Sequence, residues 1–128
     1  MSYSIDFTTF NSYFSHYAVS NVSTETTIKT IPFSTLSPKT GEKFIVLAIG
    51  HAKPTNILST SHVTISVKSG SSKITEYIGT SYNTSLQDQP CSVIGQFTYS
   101  GQSSIDLLAS SVTNTSAYFE GNIVIFRA

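Results

Sequence analysis

Val63, Ile65 and Val67 alternate with Thr64, Ser66 and Lys68, the period of two that puts one face of a β-strand in a core and the other in water. Two other runs do not alternate: Phe44-Ile45-Val46-Leu47-Ala48-Ile49 and Ile123-Val124-Ile125-Phe126. A strand apolar on both faces must be covered on both, yet in a two-layer domain the outer face is ordinarily solvent. A neighbouring subunit is the simplest cover. Phe44, Val46, Ile123, Val124, Ile125 and Phe126 are therefore the candidate interface residues, with the inward face of each strand left open.

β-rich runs of this kind recur from about Thr26 onward, separated by turn residues, at the spacing of a sandwich or barrel. They predict strands at 27–33, 43–51, 62–68, 73–80, 92–99, 104–109 and 118–126. Pro38 and Gly41 break the chain before the second of these. Gly70 and Gly101 supply positive φ for hairpin turns. Pro54 and Pro90 bar central-strand positions and mark longer crossings, which suits Greek-key winding. The expected fold is all-β, a two-sheet antiparallel jelly-roll sandwich over 23–128, preceded by a packing or attachment segment at 1–22 that forms a short helix or an arm.

Within that segment Tyr3, Phe7, Phe10, Phe14 and Tyr17 follow one another at steps of four, three, four and three. On a helix this spacing makes one aromatic stripe. The intervening Ser, Thr and Asn are poor helix formers, and Ile5 with Phe7 also fits strand alternation, so both conformations stay open. In either, five rings need a surface to rest on, which makes these residues the candidate attachment site.

Composition narrows the partners. The chain has 128 residues, enough for one domain. Charged residues are 11% of it, against a usual level of about 25%, and the formal net charge is +0. Nucleic acid binding needs clustered Lys and Arg, so no nucleic-acid partner is expected. A lone cysteine, Cys91, makes no intrachain disulfide and is expected as a small buried hydrophobe. The start MSYSIDFTTF has neither a basic leader nor a continuous apolar core, and no run approaches the ~18 apolar residues of a membrane span. No membrane insertion is expected, and synthesis would be in a host cytoplasm.

The run Ala117-Tyr118-Phe119-Glu120-Gly121-Asn122-Ile123-Val124-Ile125-Phe126 resembles the closing strand of tumour-necrosis-factor-like and complement-type globular heads. Leu36-Ser37-Pro38-Lys39-Thr40-Gly41-Glu42-Lys43-Phe44-Ile45-Val46 resembles their approach to the central strand. Versions of this jelly roll occur on bacteriophage tails, fibres and capsids, whose Ser/Thr-rich texture and small hairpins are similar to Gly95-Gln96-Phe97-Thr98-Tyr99-Ser100-Gly101. The resemblance spans roughly 27–128. It implies a ten-strand sandwich forming a compact homotrimer with the first and last strands near the three-fold axis. No collagen-like or heptad stalk precedes the domain, which leaves 1–22 as the attachment device.

Catalysis needs convergent groups with tuned pKa values, and none is legible. His16, His51 and His62 are scattered, without a metal-ligating spacing, and no GxSxG elbow accompanies the serines. The acidic residues are dispersed too, although Asp88 and Glu120 could contribute to a site shared between subunits. No enzyme activity, cofactor or metal is expected. The functional expectation is a virion accessory, a homotrimeric head domain decorating a phage capsid or tail and binding its capsid or tail protein, with host receptor binding as an extension. The alternative is a lectin-like module in which Tyr77, Tyr82 or Tyr99 stacks on the sugar rings of a host glycan.

Overall fold

In the computed structural model the described backbone covers residues 13–54, 60–82, 89–112 and 116–128, with side chains for 13–53, 63–77, 90–111 and 116–128. Nine strands run through these residues: β1 Tyr13–Val22, β2 Thr26–Pro32, β3 Lys43–Pro54, β4 Thr60–Ser69, β5 Ser72–Tyr82, β6 Gln89–Pro90, β7 Val93–Thr98, β8 Ser104–Val112 and β9 Ala117–Arg127. The seven strands expected from the sequence are all present, several of them longer. No helix among the described residues is long and apolar enough to cross a membrane.

One sheet has the order β1-β9-β3, with β7 and then β6 pairing successive stretches of the far edge of β3. The other has the order β2-β8-β4-β5, and every pairing in both is antiparallel. Consecutive long strands alternate between sheets at β1 to β2, β2 to β3 and β3 to β4, and again at β5 to β7, β7 to β8 and β8 to β9. That winding is a jelly roll. Gly70 and Gly101 have φ of 65° and 98°, as turns at those positions require.

The core lies between the sheets. Phe44, Val46, Ala48, Ala52, Ile123, Ile125 and Phe119 face inward from the first sheet, and Val63, Ile65, Val67, Ile105 and Leu107 meet them from the second, each fully buried. Fully burying such a side chain contributes roughly 1.5–3 kcal/mol. Phe33, Phe44, Phe97 and Tyr99 close one end, with Phe44 stacked on Phe97 at 5.5 Å and Phe33 against Tyr99 at 4.9 Å between ring centroids. Arg127 lies over the Phe44 ring, 5.5 Å from its centroid, and also donates to Glu42 and to the Leu36 carbonyl. The last residues of β9 thereby hold the loop that leads into β3.

In the first sheet Gly121 and Gly50 are directly paired, with Tyr17 opposite Gly121 on the other side. A Cβ at Gly121 would lie 2.6 Å from the Gly50 Cα and as close to the Tyr17 hydroxyl. The Tyr17 hydroxyl thus fills the space that side chains at both glycines would take, and an aromatic side chain laid across cross-strand glycine restores the missing contact. Burial, and after it the neighbouring Cys91, pushes the Tyr17 phenol well above its ordinary range.

The aromatic spacing near the N-terminus divides here. Tyr13–Val22 is a strand paired with β9, not a helix, so Phe14 and Tyr17, three residues apart, face opposite ways. Tyr17 is buried while Phe14 is 66% exposed. Hydrogen bonding to a ready strand edge has overridden the weak local helical pattern. Tyr3, Phe7 and Phe10 lie outside the described residues.

Candidate functional site: the outer face of the five-stranded sheet

Because side chains alternate across a strand, the inward set Phe44, Val46, Ile123 and Ile125 leaves Ile45, Leu47, Ile49, Val124 and Phe126 on the outside. Of the interface candidates, Phe44, Val46, Ile123 and Ile125 are thus occupied by the chain's own core, and only Val124 and Phe126 remain outside. Register aligns the outer residues. Phe14 pairs with Val124, Val124 with Leu47, and Leu47 with Ile94, one apolar row across β1, β9, β3 and β7. Phe126 and Ile45 flank it on one side, and Ile49 on the other, across from Asn122. Phe14, Ile49 and Ile94 are 66%, 56% and 64% exposed. Contiguous apolar surface of this kind marks an interaction site, whereas single exposed residues do not.

A polar cluster borders the row. Glu120 pairs with His51 across β9 and β3, and His16 stands on β1 opposite Asn122. The His51 Nε2 is 3.5 Å from Glu120 Oε1, and the His16 Nε2 is 4.0 Å from Glu120 Oε2. The His16 Nδ1 lies 3.3 Å from the Asn122 side-chain oxygen. Tyr118 donates its hydroxyl to Glu120, and its ring meets the His51 ring edge-on at 6.5 Å. The Tyr118 hydrogen bond first, opposed by desolvation, and then the His51 hydrogen bond and the two imidazoles hold the Glu120 carboxyl below its ordinary range. Lys53, in register with Tyr118, shares this face. His16, His51 and Glu120 are far apart in sequence. Only the pairing of three strands brings them together, and strand register was the missing signal.

The remaining sequence candidates are placed less suggestively. Tyr99 packs against Phe33, and Tyr77 is 37% exposed on edge strand β5. The side chains of Tyr82 and His62, and the whole of Asp88, lie outside the described residues. Among the described residues no group of three or more His, Cys, Asp or Glu could hold a metal ion. Cys91 is buried, and burial pushes its thiol up to about 12.

Strand order and burial together define a jelly-roll β-sandwich with one apolar outer face. A solved viral structure shares this fold. The infectious bursal disease virus structure, Gt strain, matches over 89% of this chain and 32% of that one at 9% identity and TM-score 0.55. The chain thus spans about a third of that viral protein. The Eiger TNF of S. frugiperda matches over 91% of this chain and 92% of that one at 10% identity and TM-score 0.48. The CBM22-1 xylan-binding domain from Paenibacillus barcinonensis matches over 89% and 85% at 12% identity and TM-score 0.41. No protein-family model and no curated protein matches the sequence.

Proposed function

We propose that this chain is a non-enzymatic structural accessory of a virion, a head domain on a phage capsid or tail, and that copies of it assemble through the outer face of the β1-β9-β3-β7 sheet. The carrying observation is the row Phe14, Val124, Leu47, Ile94, unbroken across four strands and open on its outer side. Its occupant is a second copy of the chain. A foreign partner is usually selected by complementary charge, and the charged groups described on this face are few and at its borders. An apolar face with so few charges is covered most simply by apolar surface of a neighbouring copy. The resemblance of the closing strand to globular heads favours three copies about an axis. The fold shared with a viral protein accords with a virion setting.

Light scattering on the purified chain at micromolar concentration tests the assembly. The expected mass is three times the 13.8 kDa of one chain, and a monomer at every concentration overturns the reading. The lectin reading rests on Tyr77, which is more exposed than Tyr99 among the described side chains. Binding on a glycan array that Tyr77→Ala abolishes, by a chain that stays monomeric, would establish it instead.

A further inference from the structure

We infer that the cluster of His16, His51, Glu120 and Lys53 makes the assembly face acid-labile, holding copies together at neutral pH and releasing them as both imidazoles take up protons. This rests on the assembly proposed above and adds its regulation.

Imidazole is the side chain whose charge ordinarily changes between about pH 5 and 8. Two imidazoles converge on the two oxygens of one carboxylate, at 3.5 and 4.0 Å. The groups around them come from every strand of that part of the sheet: His16 from β1, Tyr118 and Glu120 from β9, and His51 and Lys53 from β3. Pro90 of β6, beside His51, brings no charge. The other described acidic side chains serve elsewhere: Glu42 pairs with Arg127 at the opposite end, Glu25 and Glu76 pair with Lys68 and Lys73, and Asp106 stands opposite Lys68 on the second sheet.

Charge counting then fixes the sign. With neutral imidazoles, Glu120 and Lys53 cancel. The first proton makes the group net positive by one and the second by two. Every copy brings the same positive cluster to the assembly, where like charges gathered about one axis repel, and removing an imidazolium from water disfavours its charged form. Both effects lower the affinity of the imidazoles for protons in the assembly relative to the free chain. Assembly therefore releases protons, and acid opposes it. In the free chain the same cluster is half exposed and stabilises little, so acidification acts on association more than on folding.

Sedimentation of the full chain at about pH 8 and about pH 5.5, with circular dichroism at each pH, tests this. The expected association constant falls on acidification by about tenfold for each imidazole whose pKa drops one unit on assembly, while the β spectrum is kept. His16→Gln with His51→Gln should assemble at both pH values alike. Each single variant should keep part of the dependence, which preserves the test if the double variant misfolds. Equal assembly of the wild type at both pH values overturns this inference and leaves the assembly intact. Unchanged acid lability in the variants also overturns it. A wild-type monomer at about pH 8 overturns the assembly itself.

Discussion

The two sheets bury similar apolar faces against each other and then differ on their outsides. On the β2-β8-β4-β5 sheet, register places Thr30, Asp106, Lys68 and Lys73 in one row and Thr27, Leu108, Ser66 and Glu76 in the next. Lys68 pairs with Glu25 at 3.3 Å and Lys73 with Glu76 at 2.6 Å, and Leu108 is only 9% exposed. Hydroxyls and paired charges suit that surface to water. On the β1-β9-β3-β7 sheet, the equivalent positions carry Phe14, Val124, Leu47 and Ile94. The fold itself asks for one buried face per sheet. The second apolar face is therefore a property of this chain, and it argues for assembly.

The sharpest way to break this contrast lies on β9, where two adjacent residues face opposite ways. Ile125→Asp puts a carboxylate into a fully buried site, costing several kcal/mol, and should abolish the cooperative thermal melt. Val124→Asp, on the outside, should keep a melt close to that of an assembly-free wild type. Similar losses in both would mean that the outer face is already used within the chain.

Next in size is Gly121→Ala. The added Cβ would overlap the Ile49 carbonyl and come within 2.6 Å of Gly50 Cα, backbone that has no rotamer to yield, and overpacking of this kind costs about 1–3 kcal/mol. Urea unfolding should show it, with Gly41→Ala as a reference for backbone strain in open space.

A smaller effect is expected from Arg127→Gln. The hydrogen bond from the Lys39 N–H first, then, against desolvation, the Arg127 hydrogen bond and charge lower the Glu42 pKa. Stability gained from a depressed carboxylate is present above its unfolded pKa and lost as pH falls through the folded one. The variant should therefore be less stable at neutral pH, with the difference from wild type shrinking toward acid, as read by melting temperature against pH. Smallest of all, Thr27→Asp on the wet sheet should change stability by less than about 1 kcal/mol and leave particle size unchanged.

Much of this architecture was legible in the residues. Period-two alternation marked β4, Gly70 and Gly101 marked their turns, and the double-sided apolar runs in β3 and β9 flagged the sheet whose outside is apolar. Which of Val124 and Ile125 faces in was not legible, because a run without alternation gives no phase. β1 was obscured by aromatics spaced as on a helix, and its pairing with β9 is a tertiary effect. Phe14 and Ile94 joined the apolar row, and His16 met Glu120, only through register between strands distant in sequence, which no local pattern encodes.

If this outer apolar face joins copies of the chain, the molar masses of wild type and Leu47→Asp, measured side by side by sedimentation at neutral pH, must differ. Leu47 stands in the middle of the row, between Val124 and Ile94. The wild type is expected as a trimer and the variant as a folded monomer. Equal masses for two folded proteins, whether both assembled or both monomeric, would contradict assembly through this face.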